Sequence, residues 1–212
     1  MIRIDANGAW DVDEAVSRLV HLDRAAGGLE YVEQPCADVP GLAAVRRRTS
    51  VPVAADESVR RAEDPFEVVR QDAADIIVLK VQPLGGVRAC LELAEQVGLP
   101  VVVSSALESS VGLAAGVALA AALPRLDHAC GLATSQLLVQ DTVDQPLLPV
   151  DGAIAVGRPA PSPVSLDATD ARRLAPEVAR RWAERVSRVE ALVASRTGAA
   201  GRGAARSGGA TA

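Results

Sequence analysis

The sequence predicts an α/β fold in which repeated βα units build a parallel sheet. Short runs rich in valine and isoleucine alternate with longer segments in which apolar residues recur at helical spacing. Polar residues close the first five apolar runs at intervals of 28, 23, 24 and 24 residues, about one βα unit each. The 212 residues and the hydrophobic content of 49% are sufficient for one sizeable buried core.

Six apolar runs are predicted as strands, and the sixth has the weakest pattern. They are Ile2–Asp5, Leu29–Glu33, Val51–Asp56, Asp75–Lys80, Pro100–Ser104 and Leu126–Cys130. Helical periodicity fills the intervals between them. The predicted helices are Val12–Ala25, Pro40–Thr49, Pro65–Asp72, Gly86–Val97 and Val111–Leu123.

The pattern divides the chain into three parts. Residues 1–155 contain the βα units, and residues 156–196 contain a surface segment and a helix with arginine and glutamate on its outer face. Residues 197–212 consist largely of glycine, alanine and arginine without periodicity, which predicts a disordered tail.

Five of the predicted strands end in a polar residue: Asp5, Glu33, Asp56, Lys80 and Ser104. The carboxyl ends of parallel strands lie at one face of a sheet or barrel, so these side chains are expected at one mouth. Polar residues in that position are typical of catalytic sites.

Three of these strand ends carry carboxylates that repel one another. Two unit charges about 4 Å apart cost roughly 4 kcal/mol at an effective dielectric constant of about 20. Asp5, Glu33 and Asp56 therefore favour a cation between them, and an all-oxygen set favours Mg²⁺ over zinc. For any single acid, a strand-end cap or a surface ion pair is the alternative interpretation.

Lys80 is the only lysine among 22 basic residues. Because every other residue of this group is arginine, we infer that position 80 needs a property that arginine lacks. Beside a metal site, lysine can transfer a proton or stabilise an anionic intermediate. The alternative is a lysine that extends from a strand end to water.

Composition also excludes some classes of protein. A net charge of -5 argues against a nucleic-acid-binding domain. The sequence has neither a signal peptide after Met1 nor an apolar run long enough to span a membrane. Its three cysteines are far apart, as in reduced proteins, so a cytoplasmic location without a membrane partner is expected.

Five motifs, in this order and at strand spacing, resemble the enolase superfamily, in its muconate-lactonizing-enzyme-like subgroup. The similarity covers roughly residues 2–155. The motifs are DANGAW at residues 5–10, VEQPC at 32–36, ADES at 55–58, IVLK at 77–80 and SSALESSVGL at 104–113. The resemblance implies a partial (β/α)8 TIM-type barrel, roughly strands 3 to 8.

The resemblance also implies roles for the site residues. Asp5, Glu33 and Asp56 would bind Mg²⁺, and Lys80 would be catalytic. In the family, the metal binds a substrate carboxylate and stabilises the enediolate formed when the adjacent proton is removed.

Further residues fall in the same motifs. Asn7 and Glu57 would orient the ligands from behind, with turn chemistry as an equally plausible role. Ser104, Ser105 and Glu108 would shape the substrate pocket, although a serine-rich segment can also cap a helix.

Within the superfamily, the resemblance is greatest to the synthases of menaquinone biosynthesis. These enzymes perform a syn-type dehydration of 2-succinyl-6-hydroxy-2,4-cyclohexadiene-1-carboxylate, a small carboxylate, to aromatic 2-succinylbenzoate. Two alternatives stay open: a related N-acylamino acid or dipeptide racemase or a cycloisomerase, and a non-catalytic fragment that binds metal or a partner chain. The oligomeric state is not determined by the sequence.

The family pattern begins earlier than this chain does. Related proteins carry an α+β capping domain, two further barrel strands and a Lys-x-Lys motif whose last lysine is an acid/base. Only four residues precede Asp5, so we expect this chain to be the C-terminal portion of an enzyme, through a misplaced start or a genuine truncation.

Overall fold

The computed structural model describes residues 1–61, 64–162 and 176–204. The chain separates into two compact units, Met1–Ser165 and Leu166–Ala212. The first unit contains the sheet and the second contains a long helix.

The first unit is built on one parallel sheet in which strands adjacent in sequence are also adjacent in space. Asp5 pairs with Glu33, and Glu33 pairs with Ala54, so the ends of consecutive strands lie side by side. An in-order parallel sheet of this kind forms part of a barrel wall, which confirms the predicted partial barrel. The strands are β1 (Ile2–Asp5), β2 (Leu29–Glu33), β3 (Val53–Ala55), β4 (Ile76–Leu79) and β5 (Val101–Val103).

Helices follow the strands at positions that local capping explains. The Asp11 side chain accepts the Glu14 N–H at 2.8 Å and starts the first helix, which ends at Gly27 in the left-handed region with φ 69°. The helices are α1 (Val12–Ala26), α2 (Val39–Arg46), α3 (Glu57–Arg60), α4 (Glu67–Arg70), α5 (Val87–Val97), α6 (Ser110–Ala122) and α7 (Pro176–Ala204), with a 3₁₀ turn at Thr134–Leu137.

Two predicted helices are shorter than expected. The predicted helix Pro65–Asp72 is reduced to the single turn α4, because the chain reaches a left-handed conformation at Asp72, with φ 51°. The predicted helix Pro40–Thr49 begins at Val39, where Asp38 caps the Gly41 N–H, and ends at Arg46. The periodicity did not predict α3, which begins directly after Asp56.

The predicted sixth strand, Leu126–Cys130, is wrong. Residues 126–130 form no ladder with the sheet, and Gly131 directly after them makes one isolated parallel bridge with Ser104. The Ala129 carbonyl accepts a hydrogen bond from Arg3 at 2.6 Å instead of joining a ladder. The apolar pattern did not indicate this contact with a side chain from the start of the chain.

The core has two layers, one on each face of the sheet. The outer layer packs the sheet against the helices and contains Leu19, Leu42 and Leu119, each at most 1% exposed. The inner layer is a small cluster on the concave face. Its members are Tyr31, Ala54, Ile76, Val78 and Val102, all at most 3% exposed.

An ionic cluster lies on β1 and β2 at the end of the sheet opposite the polar strand ends. Arg3 Nε donates to Glu30 at 2.8 Å, and a His128 ring nitrogen lies 2.7 Å from the same carboxylate. Arg3 also lies over the Tyr31 ring, 4.8 Å from its centroid. These contacts, those from Arg3 first and those from His128 second, lower the pKa of Glu30 to about 2.

Glu30→Gln is expected to lower the free energy of unfolding at pH 7 by about 2 kcal/mol, because a neutral amide pairs less well than a carboxylate with the Arg3 guanidinium. The pKa of Glu30 is lower in the folded state than in the unfolded chain. Its stabilisation is therefore complete above about pH 4.5 and is lost as the pH falls towards 2. Denaturant unfolding of both proteins between pH 3 and 8 measures the difference.

The matched control is Glu14→Gln, which breaks the exposed pair with Arg18. That change is expected to cost less than about 0.5 kcal/mol. If the Glu30 variant lost the same stability at pH 3 as at pH 7, the ionic cluster would not be the cause.

In the second unit, α7 extends from Pro176 to Ala204. This helix includes residues 197–204 of the predicted disordered tail, residues 197–212, although three of these eight residues are glycines, which disfavour a helix. The rest of that tail lies outside the described residues. Among the described helices, none combines the length and apolarity needed to cross a membrane.

Candidate metal and acid/base site

The ends of β1 and β2 place two carboxylates next to each other. Asp5 and Glu33 occupy paired positions of the parallel ladder. Asp5 is exposed, and its Oδ1 accepts the Asn7 N–H at 2.9 Å. Within the described residues, no side chain makes an ion pair or a hydrogen bond to the Glu33 carboxylate, which leaves its oxygens available as donors to a cation.

The third carboxylate, Asp56, is held differently. It lies between β3 and α3, directly before the first residue of α3, and is 1% exposed. Arg60, one helical turn further on, donates to Oδ1 at 2.8 Å, and Lys80 Nζ makes an ion pair with Oδ2. Both oxygens of Asp56 are thus engaged by cationic side chains.

Negative charge accumulates at this mouth of the sheet. The pKa of Glu33 is raised to about 7, first by burial and then by the negative charges of Asp5 and Asp56. Lys80 opposes this shift but does not cancel it. A cation at this point would relieve the repulsion.

The chemistry of these side chains suits a hard divalent cation, because carboxylate oxygens are the ligands that such cations prefer. However, no group of three acidic, histidine or cysteine side chains in the described part of the chain is arranged around one point as a metal centre. Asp56 is paired with Arg60 and Lys80, which satisfy its carboxylate within the protein.

Asn7 lies in the turn after β1, and Glu57 is the first residue of α3. Asn7 adopts a left-handed conformation with φ 48°, which turns the chain away after β1. Glu57 pairs with Arg60, and its Oε2 is buried without a hydrogen-bond partner among the described residues. A cavity of about 350 Å³ adjoins both residues and is lined also by Ser58 and Arg61.

Ser104, Ser105 and Glu108 follow β5. The Ser104 N–H donates to the Leu79 carbonyl at 3.0 Å, so Ser104 extends the sheet next to the strand that precedes Lys80. The Ser105 hydroxyl donates to the Gly131 carbonyl at 2.9 Å. Glu108 accepts the Ala106 N–H, while its Oε2 is buried and unpaired within the described residues. Their role towards a substrate stays a prediction.

Two residues that contact Asp56 were not predicted. Arg60 lies four residues after Asp56, a spacing that brings side chains together on a helix, but α3 is too short to show periodicity. Gln34, inside the VEQPC motif, is fully buried and hydrogen-bonded to the backbone of Asp56. No local sequence pattern indicates that a glutamine will be fully buried in the folded chain.

The fold and the site define a class: an α/β barrel protein of an enzyme superfamily, with carboxylates and a lysine at successive strand ends. Residues 1–161 match the family described as "Enolase C-terminal domain-like". The chain belongs to this family, and the sequence-based assignment to the enolase superfamily is confirmed.

Individual known proteins are also similar to this chain. It is 69% identical over 157 residues to a protein named o-succinylbenzoate synthase from Thermobifida fusca, covering 74% of this chain and 49% of the relative. Among solved structures, it resembles the L-Ala-D/L-Glu epimerase from Bacillus subtilis, with 30% identity, a TM-score of 0.66 and coverage of 76% of this chain and 45% of that one.

The muconate lactonizing enzyme from Pseudomonas putida is equally similar. Its identity is 30%, its TM-score is 0.67, and the match covers 75% of this chain and 45% of that one. This neighbour confirms the subgroup that the five motifs predicted. The chain spans about half the length of each of these three proteins.

Proposed function

We propose that the chain supplies the metal-binding and proton-transfer side of an o-succinylbenzoate synthase that acts in menaquinone biosynthesis. The observation that carries the proposal is the 69% identity to the Thermobifida fusca protein of that name. The convergence of Asp5, Glu33, Asp56 and Lys80 at one mouth supports it.

In the proposed reaction, the substrate is a cyclohexadiene carboxylate with a hydroxyl group on the ring. The C–H bond next to the carboxylate breaks, and its electron pair forms a ring double bond as the C–O bond to the hydroxyl group breaks. The proton and the hydroxide leave as water, and the ring becomes aromatic. No oxidant or reductant is needed.

Asp5, Glu33 and Asp56 would hold Mg²⁺ in this site. When bound, the cation supplies positive charge that offsets the charge developing on the substrate carboxylate. Lys80 holds a proton at Nζ and brings a second positive charge to the same mouth. Arg60 keeps Asp56 at the start of α3, where its carboxylate faces Lys80.

The test compares two proteins, because the chain spans about half the length of the relative. One is the chain itself, and the other is a chimera in which it replaces the matching residues of the Thermobifida fusca protein. Each is incubated with the cyclohexadiene substrate with Mg²⁺ or with a chelator, and formation of the aromatic product is followed by absorbance.

The chimera is expected to form product with Mg²⁺ and to lose that activity with the chelator. A parallel assay follows epimerisation of L-Ala-L-Glu, because the Bacillus subtilis epimerase is a structural neighbour. Epimerisation without dehydration would replace the synthase proposal by a racemase, and neither activity in a folded chimera would reject both.

A further inference from the structure

Gln34 occupies an unusual place in the site. It directly follows Glu33, is 0% exposed and adopts a left-handed backbone conformation with φ 41°. Such a conformation is uncommon for a residue with a side chain and persists only where the surroundings hold it. The contacts of Gln34 show what holds it.

Both the oxygen and the nitrogen of the Gln34 side-chain amide are hydrogen-bonded. Oε1 accepts the backbone N–H groups of Asp56 at 3.0 Å and Ser58 at 3.2 Å. Nε2 donates to the Cys36 carbonyl at 2.8 Å and to the Ser58 hydroxyl at 2.7 Å. No side chain of another type offers the same two acceptor and two donor contacts in this volume.

The backbone of Gln34 extends the same set of contacts. Its carbonyl accepts the Gly8 N–H at 2.7 Å, and its own N–H donates to the Ala54 carbonyl at 2.8 Å. Gly8 lies in the loop after Asp5, and a Cβ added there would approach the Ala37 Cα to 3.1 Å. Gln34 thus connects the segments that follow β1, β2 and β3, next to all three carboxylates.

We propose that Gln34 is a positioning residue that fixes the relative placement of Asp5, Glu33 and Asp56 for a divalent cation. The inference rests on the proposed function, since it assumes that these carboxylates bind Mg²⁺. Gln34 itself does not touch the metal or the substrate. It acts by holding the backbone from which Asp56 projects.

Gln34→Met fills the same space without any of the four side-chain hydrogen bonds. Titration of the chain with MgCl₂ by calorimetry is expected to show binding 10- to 100-fold weaker, roughly the effect of losing a group that orients a ligand. Backbone amide exchange followed by NMR is expected to accelerate at Asp56 and Ser58, with little change in the strands.

Gln82→Met is the matched control. Gln82 also donates its side-chain amide to a carbonyl, that of Gly112 at 3.0 Å, but it lies after Lys80 and outside the contacts of Gln34. Its Mg²⁺ affinity is expected to equal that of the unmodified chain.

The possible results separate the two proposals. If the unmodified chain binds no Mg²⁺, the proposed metal site is rejected and this inference with it. If the unmodified chain binds Mg²⁺ and Gln34→Met binds it equally well, only the role of Gln34 is rejected. Should the Met variant not fold, Ser58→Ala removes a single contact, and an unchanged affinity there would also reject the role.

Discussion

Lys80→Arg is expected to lower the rate of the proposed dehydration about 1,000-fold, the scale of a lost proton-transfer group. The guanidinium group is bulkier than the ammonium group and does not exchange its proton near neutral pH. Charge is preserved, so the ion pair with Asp56 can persist and the fold is expected to be retained. The rate is measured in the chimera by the appearance of aromatic product.

The control for this change is the stability of the chain. Denaturant unfolding of Lys80→Arg is expected to stay within about 1 kcal/mol of the unmodified chain, since a cation still faces Asp56. A chimera that kept most of its rate would show that Lys80 contributes only a strand-end charge. If the Lys80→Arg variant does not fold, Lys80→Gln is tested in its place, because its smaller side chain fits the same space.

Asp56→Asn is expected to abolish Mg²⁺ binding and to destabilise the metal-free chain by about 3 kcal/mol. The metal site loses a ligand charge, and Arg60 and Lys80 both lose the buried carboxylate that compensates them. Calorimetric titration with MgCl₂ and denaturant unfolding with a chelator present measure the two effects.

Glu33→Gln is the matched variant, and its expected effect on stability has the opposite sign. The pKa of Glu33 is about 7 in the folded chain, above its ordinary value, so folding favours the protonated form. The resulting stability is complete below about pH 4.5 and is lost as the pH rises through 7. At pH 8, the amide removes this repulsion and is expected to stabilise the metal-free chain by about 1–3 kcal/mol.

Both variants are expected to lose Mg²⁺ binding while their stabilities change in opposite directions. That combination separates a ligand role from a general loss of structure. Mg²⁺ affinity retained in Glu33→Gln would remove Glu33 from the proposed ligands. Equal destabilisation by the two changes would show that Asp5 and Asp56 do not repel Glu33.

Much of the fold could be predicted because it depends on local patterns. Apolar runs at intervals of one βα unit located all five strands of the sheet, and polar residues marked where four of these runs end at the site mouth. The sixth predicted strand does not form, and the Ala129 carbonyl within it accepts a hydrogen bond from Arg3, more than a hundred residues away. Periodicity carries no information about such a contact.

The candidate site was predicted in its members but not in its contacts. The positions of Asp5, Glu33, Asp56 and Lys80 follow from strand spacing, while their roles towards metal and substrate stay predictions. Spacing did not show that Asp56 makes ion pairs with two cationic side chains. It also did not show that burial and the charges of Asp5 and Asp56 raise the pKa of Glu33. These properties depend on burial and on distances between side chains of different strands.

The sequence by itself determined the parallel βα architecture, the acidic mouth and the single lysine beside it, because each follows from residue type and spacing along the chain. Only the tertiary structure decided which polar atoms meet there. Gln34 shows the reason: its four side-chain contacts include three to Asp56 and Ser58, more than twenty residues further along the chain. Hydrogen bonds of that range form only when the sheet brings neighbouring strand ends together.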